Sequence, residues 1–163
     1  MFPFEIDALC RLLIDEARTR GVRIVTAESC TGGLLSAAIT AIPGSSDVFD
    51  RSFITYSNRA KEEMLNVPGD LIADAGAVSE PVARMMAEGA LEQSRANLAV
   101  AVTGVAGPGG GTPLKPVGLV HLAVARENKP IFHQAMRYGD IGRERIRRET
   151  IATALEMLRK MMA

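Results

Sequence analysis

One stretch constrains the fold more than any other: a largely apolar run passes through small polar residues and two glycines into a helical pattern. Val22–Ala27 predicts a buried strand and Leu34–Ile42 a helix, with Glu28–Thr31, Gly32 and Gly33 between them. Such a junction places several backbone N–H groups at one mouth, which suits a phosphate or a developing oxyanion. An ordinary strand–helix turn, in which the threonine caps the helix and the glycines relieve crowding, explains the same residues equally well.

The composition bounds the class of protein. A chain of 163 residues is long enough for one domain, 1–163, with a substantial core. Lys and Arg (19) balance Asp and Glu (19), which argues against a nucleic-acid-binding surface. Hydrophobic residues make up 47% of the chain but aromatic residues only 4%, which favours an aliphatic α/β core and not a platform for stacking bases.

The cysteines and the absence of long apolar runs suggest where the protein works. Cys10 and Cys30 do not make a disulfide framework, and no Cys or His spacing predicts a metal site. No run is long enough to span a bilayer, and no signal-peptide pattern begins the chain. We therefore expect a cytoplasmic protein without membrane contact, metal or organic cofactor. A homo-oligomer is left open.

Hydrophobic periodicity predicts ten elements in the order α-β-α-β-α-α-β-β-β-α. The strands are expected at 22–27, 48–57, 97–103, 117–125 and 130–138, and the helices at 4–20, 34–42, 59–65, 79–94 and 143–162. Asn58 is expected to cap the third helix, and 67–77 to form a loop. This order predicts a three-layer α/β/α sandwich with a mixed, mostly parallel sheet of about five strands.

Three polar groups of residues lie at the ends of predicted strands. They are Glu28–Thr31, the segment Tyr56–Asn58 with Lys61, and Thr103 with the glycine-rich loop Gly104–Gly111. In open α/β sheets, ligands collect at the carboxyl ends of the strands, so these groups predict a single site.

Familiar motifs are absent from these positions. Gly104–Gly111 has P-loop glycine spacing without the following Lys-Ser/Thr, and it lacks a dinucleotide-binding fingerprint. Tyr56 and Lys61 are one residue too far apart for the Tyr-x3-Lys pair of short-chain dehydrogenases. His121 and His133 are expected to be ordinary sheet residues, and no Ser-His-Asp triad can be assigned.

A serine–lysine pair remains as the chemical hypothesis. A serine needs a base to take its proton, and a lysine with a lowered pKa can be that base. Lys61 would reach Ser29 if the first two strands are neighbours. Taken alone, Lys61 beside Glu62 and Glu63 is better explained as a solvated surface residue. Cys30 competes with Ser29 as nucleophile, but a small buried filler is the favoured interpretation.

Several blocks of the sequence, in the same order, resemble the CinA carboxy-terminal domain family. The resemblance runs from about residue 5 to about residue 160, through Thr26–Gly33, Gly44–Ser46, Thr55–Asn58 with Lys61, Gly76–Glu80, Thr103–Pro108 and Lys115–Gly118.

The resemblance implies an activity and roles for residues. The activity is hydrolysis of the carboxamide of nicotinamide mononucleotide (NMN) to nicotinate mononucleotide and ammonia, in pyridine-nucleotide salvage. The implied fold is an α/β/α sandwich like that of anticodon-binding domains. Ser29 would be the nucleophile and Lys61 its base, with Tyr56 in the same site.

The oxyanion is expected at backbone N–H groups around Thr31–Gly33 and the phosphate at the glycine loop with Arg143, although the two assignments can be exchanged. The full set of expected substrate-binding residues is Thr31, Gly32, Gly33, Ser46, Asn58, Thr103, Gly104, Gly107 and Arg143.

Two departures from the family pattern and one alternative function accompany the resemblance. Larger CinA proteins carry an additional amino-terminal domain that is not in this sequence. The family's Gly-Asp-Arg becomes Gly139-Asp140-Ile141-Gly142-Arg143 here, which leaves the role of Arg143 open. The alternative is a non-catalytic nucleotide-binding or regulatory module, or a partner domain linked to competence or recombination. Release of ammonia from NMN separates the amidohydrolase from these.

Overall fold

A five-stranded sheet lies between two layers of helices. The computed structural model describes residues 1–163. The elements are α1 (Phe4–Arg20), β1 (Ile24–Glu28), α2 (Leu34–Thr40), a 3-10 turn (Ser45–Asp47), β2 (Phe49–Ile54), α3 (Asn58–Leu65), α4 (Gly69–Ala75), α5 (Glu80–Glu92), β3 (Leu98–Gly104), β4 (Leu119–Arg126), β5 (Phe132–Arg137) and α6 (Arg143–Met162). The predicted α/β/α sandwich is confirmed.

The sheet has the strand order β2-β1-β3-β4-β5. Strand β1 pairs in parallel with β2 and β3, whereas β4 is antiparallel to β3 and to β5. Only β4 therefore runs against the other four strands, so the sheet is mixed and mostly parallel, as predicted. The short turn between β4 and β5 makes the predicted antiparallel hairpin.

The two faces of the sheet differ in the size of their side chains. On β3, Leu98, Val100 and Val102 face the layer formed by α1, α2 and α6. Ala99 and Ala101 face the opposite layer, which contains α3, α4 and α5. The alternation follows from the period of two in a strand, and the alanines leave room for α5 to lie close to the sheet.

Close packing on the alanine face extends to the contact between α5 and α3. A Cβ atom at Gly89 would collide with the backbone carbonyl of Leu65. Glycine is unfavourable inside a helix, so its presence here is explained by this approach of two backbones.

Two sequence-based predictions about local structure were wrong. The segment 67–77 contains helix α4, which the surrounding Pro68, Gly69 and Gly76 made look like a loop. The cap of α3 is Ser57, not Asn58: the Oγ atom of Ser57 accepts a hydrogen bond from the N–H of Ala60 at 3.0 Å. Serine and asparagine are both good N-caps, so the sequence left the boundary open by one residue.

The parallel strands place three chain segments at one edge of the sheet. Glu28 at the end of β1 is in register with Ile54 at the end of β2 and with Val102 near the end of β3. The residues that follow these strands therefore meet at this edge. None of the helices combines the length and the apolar character needed to cross a bilayer.

Candidate active site

A serine and a lysine meet at the carboxyl edge of the sheet. Ser29 follows β1, and Lys61 lies in the first turns of α3, just beyond the end of β2. The Nζ atom of Lys61 is 2.9 Å from the Oγ atom of Ser29. Neighbouring parallel strands thus bring together two residues that are 32 positions apart in the chain.

Lys61 is the unusual member of this pair because it is buried. Its side chain is 1% exposed, and its other contact is the carbonyl oxygen of Thr55, at 2.7 Å. Both of its partners are neutral oxygens, and no carboxylate forms an ion pair with it. Burial lowers the pKa of Lys61, and a smaller electrostatic effect of Cys30 acts in the opposite direction. The alternative of a solvated surface lysine is therefore wrong.

Thr55 holds the lysine in place through its backbone. Its N–H donates to the carbonyl of Glu28 at 2.8 Å, which extends the pairing of β2 with β1 by one residue. The Oγ1 atom of Thr55 is buried and has no hydrogen-bond partner, which is uncommon for a buried hydroxyl. Nothing in the local sequence around Thr55 indicated this role.

The pair opens into a cavity of about 310 Å³. That volume lies at the lower end of the range for small-molecule sites. The expected site residues that line it are Ser29, Tyr56, Asn58, Lys61, Thr103, Gly104, Gly107 and Arg143. The lining includes the guanidinium of Arg143 and no carboxylate, so the cavity favours an anionic ligand whether or not Lys61 is charged.

Arg143 closes one side of the cavity. At the start of α6, its guanidinium donates to the carbonyl of Gly107 at 2.7 Å and to the hydroxyl of Tyr56 at 3.1 Å. Tyr56 is 62% exposed, so these two side chains form the outer rim. The structure therefore brings Arg143 to the glycine loop despite the altered Gly-Asp-Arg pattern.

The glycine loop contributes backbone groups to the same cavity. The N–H groups of Gly107, Gly109 and Gly110 find no oxygen acceptor in the protein. Gly104 has no space for a side chain, because a Cβ atom there would lie 2.6 Å from a methyl carbon of Val120. Thr103 is 1% exposed, and its hydroxyl group donates a hydrogen bond to the carbonyl of Ala77 at 2.9 Å.

The expected oxyanion donors at Thr31–Gly33 are mostly occupied. The carboxylate of Glu28 accepts hydrogen bonds from Gly33, Leu35 and Ser36 N–H at 3.2, 3.0 and 2.9 Å. Glu28 is itself completely buried, so the start of α2 already holds an anion supplied by the chain. The N–H of Gly32 is also used, by the carbonyl of Ser29. The assignment of Gly32 and Gly33 as oxyanion donors was therefore wrong.

Thr31 also belongs to this internal network. Its hydroxyl donates to Glu28 at 2.7 Å, so the threonine binds the acid and does not cap α2 with its side chain. Gly32 and Gly33 lie on a separate shallow groove between α2 and β2. None of these three residues lines the cavity. The sequence did not indicate that the chain's own glutamate would take the place of a ligand.

Cys30 lies beside the nucleophile candidate but has the properties of a packed thiol. Burial raises its pKa to about 11, so the thiolate is scarce near neutral pH. The backbone N–H of Cys30, in contrast, is available for a ligand, because no oxygen in the protein accepts a hydrogen bond from it. Cys30 lines the cavity, so an oxyanion formed at Ser29 finds a free donor on the next residue.

Ser46 lies away from the cavity. It belongs to the 3-10 turn that precedes β2. Just after this turn, the carbonyl of Val48 accepts a hydrogen bond from the N–H of Ile24, at the start of β1. Ser46 is exposed at the amino end of the strands. Its assignment to the substrate site was therefore wrong, because the site lies at the opposite edge.

The two histidines lie within the sheet and outside the cavity. Their rings stack at 5.1 Å between centroids, and the Nδ1 atom of His121 is 2.9 Å from the Nε2 atom of His133. No three His, Cys, Asp or Glu side chains come together as a possible set of metal ligands.

The fold and cavity define a class of protein: α/β/α domains with a ligand site at the carboxyl ends of parallel strands. Residues 6–162 match the family model described as the CinA C-terminal domain. The chain belongs to this family.

Solved structures of family members have the same fold. The chain is 54% identical to the competence/damage inducible protein CihA from Agrobacterium tumefaciens, with a TM-score of 0.98, 100% of this chain covered and 99% of the other. It is 31% identical to a CinA superfamily protein from Escherichia coli, with a TM-score of 0.91 and coverage of 96% and 90%.

Curated relatives are longer than this chain. CinA-like proteins from Anaeromyxobacter sp. (strain K) and Synechococcus sp. (strain RCC307) are 48% and 49% identical to it over 153 and 159 residues. These alignments cover 94% and 97% of this chain but only 37% and 38% of the relatives. The chain thus spans a little over a third of their length.

Proposed function

We propose that this chain is an amidohydrolase that hydrolyses the carboxamide of NMN to nicotinate mononucleotide and ammonia. The observation that carries the proposal is the contact between the buried Lys61 amine and the Ser29 hydroxyl at a cavity. A neutral lysine at this distance can accept the serine proton. The choice of NMN within the amides comes from the family resemblance, and Arg143 in a lining without carboxylates supports an anionic substrate.

In the first step, the Oγ atom of Ser29 attacks the carboxamide carbon while its proton passes to Lys61. The resulting oxyanion accepts a hydrogen bond from the N–H of Cys30, which finds no other acceptor. A donor of this kind is worth about 3 kcal/mol of transition-state stabilisation. Collapse of the intermediate expels ammonia, which takes the proton from Lys61.

In the second step, water hydrolyses the ester on Ser29. Lys61 is neutral again after ammonia has left, so it can take a proton from the attacking water. The serine oxygen recovers that proton as its bond to the acyl carbon breaks, and the resulting carboxylic acid loses the second proton of the water to solvent, which gives nicotinate mononucleotide. The same lysine therefore acts as base and acid in both halves of the reaction.

The phosphate of the substrate is assigned to the rim of the cavity. Arg143 supplies a charged donor, and the free N–H groups of Gly107, Gly109 and Gly110 supply neutral ones. A guanidinium beside a glycine loop suits a phosphate, because its fork of donors matches the phosphate oxygens.

An ammonia-release assay on the purified chain tests the proposal. NMN, nicotinamide and NAD are compared side by side, with Ser29→Ala protein as the control for contaminating activity. We expect ammonia from NMN with the wild-type chain and none with the variant. Binding of NMN without release of ammonia would favour the non-catalytic nucleotide-binding alternative and overturn the proposal.

A further inference from the structure

Arg147 contacts the turn that carries Ser29, although it does not line the cavity. It lies one helical turn after Arg143 on α6. Its Nε atom donates to the carbonyl of Cys30 at 3.1 Å, and its Nη2 atom donates to the carbonyl of Thr31 at 2.9 Å. No carboxylate pairs with this guanidinium, so its polar contacts are these two peptide carbonyls.

The turn is held from its other side by Glu28. The buried carboxylate binds the N–H groups of Gly33, Leu35 and Ser36, whereas Arg147 binds carbonyls of the two residues after Ser29. Peptide groups are planar, so binding the Thr31 carbonyl also fixes the N–H of Gly32 in the same plane. That N–H donates to the carbonyl of Ser29 at 3.0 Å, and the Ser29 carbonyl shares its plane with the N–H of Cys30. A cation and an anion thus fix successive peptide planes of the turn.

We propose that Arg147 is a positioning residue, which holds the Ser29–Thr31 turn so that the Ser29 hydroxyl and the Cys30 N–H keep their alignment. The inference rests on the proposed role of Ser29 as nucleophile. Arg147 acts through the two carbonyls and touches neither the substrate nor the reacting atoms.

Arginine is required at this position because two acceptors must be bound at once. Its planar fork presents parallel N–H donors, whereas a lysine presents one compact ammonium on a flexible stem. Lys at position 147 would keep the charge but hold only one peptide carbonyl firmly. The substitution Arg147→Lys therefore separates the effect of the positive charge from the effect of binding two carbonyls.

The test uses a serine-reactive probe instead of NMN. A fluorophosphonate reacts when the Oγ atom of Ser29 attacks phosphorus: an O–P bond forms, the P–F bond breaks, fluoride leaves and Lys61 takes the serine proton. The rate is followed by the intact mass of the protein, with Ser29→Ala confirming the labelled residue. The variants are Arg147→Met, Arg147→Lys and, as the matched control on the same helix, Arg148→Ala.

Labelling of Arg147→Met is expected to be about 100-fold slower than that of wild type, the loss typical of a misplaced reacting group. Arg147→Lys should recover less than a tenth of the lost rate, and Arg148→Ala should match wild type. Arg148 is a suitable control because its only polar contact is with Glu144, on the surface. In NMN turnover, kcat should fall with little change in KM.

Three results would overturn the inference. They are wild-type rates in both Arg147 variants, full recovery with lysine, and no labelling of Ser29 in the wild-type chain. If Arg147→Met unfolds, as judged by circular dichroism, the folded Arg147→Lys variant decides the question alone. A chain that labels at Ser29 but leaves NMN intact would overturn the proposed function and leave this inference standing.

Discussion

The Nζ atom of Lys61 lies 2.9 Å from the Oγ atom of Ser29, and both side chains are at least nine-tenths buried. Burying a lysine without a carboxylate partner is costly, because its charged form loses its hydration. The cost falls if the amine is neutral, and a neutral amine is what a serine needs from its base. The burial and the proposed chemistry are thus two aspects of one arrangement.

The first prediction concerns the identity of the nucleophile. Ser29→Ala should abolish ammonia release from NMN while the chain stays folded and binds NMN. Cys30→Ala should keep most of the activity, because the thiol is protonated near neutral pH and the backbone N–H remains. Steady-state assays with both variants check this. An inactive Cys30→Ala chain beside an active Ser29→Ala chain would reverse the assignment.

The second prediction concerns the pH dependence of the rate. Lys61 must be neutral to accept a proton, and its pKa is lowered by burial. The rate should therefore rise with pH through one ionisation well below about 10.4, the ordinary lysine pKa, and fall as pH drops below it. A pH–rate profile of kcat/KM measures this.

Substitution of Lys61 sharpens the same test. Lys61→Arg should be nearly as damaging as Lys61→Ala, because a guanidinium keeps its proton at working pH. Lys129→Met, at an exposed turn, is the control and should leave the profile unchanged. Near wild-type turnover by the arginine variant would remove Lys61 from the mechanism and direct attention to Tyr56 or a water.

The third prediction concerns the phosphate. Arg143→Ala should weaken NMN binding by about 1.5 to 3 kcal/mol, the usual loss for a charge-assisted hydrogen bond. It should change turnover of nicotinamide riboside, which lacks the phosphate, much less. Arg145→Ala serves as the control, because Arg145 is exposed and makes no ion pair. Equal losses on both compounds would contradict a phosphate contact.

The fourth prediction concerns the acid beneath the turn. Glu28→Gln should lower the free energy of unfolding by about 2 kcal/mol, because an amide group must face three backbone N–H donors with only one acceptor oxygen. Urea denaturation measures the loss, and Glu88→Gln on the exposed side of α5 is the control. An unchanged urea midpoint would mean that the carboxylate contributes nothing to the fold.

The fifth prediction concerns packing between two helices. Gly89→Ala should destabilise the protein by roughly 1 to 3 kcal/mol, although alanine is the better helix former. The reason is the collision of the new Cβ with the carbonyl of Leu65. Gly109→Ala, with open space around it, should leave the thermal midpoint nearly unchanged. A stabilised Gly89→Ala chain would show that α5 can move away.

Elements with periodic hydrophobic residues could be predicted from the sequence. The edge of the sheet where the candidate site lies could be predicted as well. The alternation along β3 and the stripe of α6 depend on local patterns that survive without tertiary knowledge. Because ligands collect where parallel strands end, Ser29, Tyr56 and Thr103 could be predicted as site residues from their positions at the ends of strands.

Residues whose role depends on distant contacts could not be predicted in this way. Lys61 beside two glutamates has the sequence context of a surface lysine, and only the pairing of β1 with β2 explains its burial. Glu28 was noticed as a polar residue at a strand end, but nothing local shows that it will bind the start of α2. Arg147 differs from its neighbours in the arginine-rich helix only through the turn it reaches.

The errors have the same origin. Ser46 was grouped with the site because it belongs to a matching block of sequence, and a block in a linear chain does not say which end of a strand it will lie beside. Gly32 and Gly33 were assigned from a general property of helix starts, which a buried acid of the chain already uses.

The contact of Arg147 with Thr31 joins residues 116 positions apart, so the turn at the first strand depends on the last helix. Closing so long a loop costs more chain entropy than forming a contact between residues that are close in sequence. The first half of the chain therefore contains Ser29 and Lys61, with Glu28 and Thr55 beside them, but lacks the arginine that binds the turn from α6. Under the proposed function, full turnover should appear only when α6 docks, which makes the rate a sensitive reporter of whether the carboxy-terminal helix is in place.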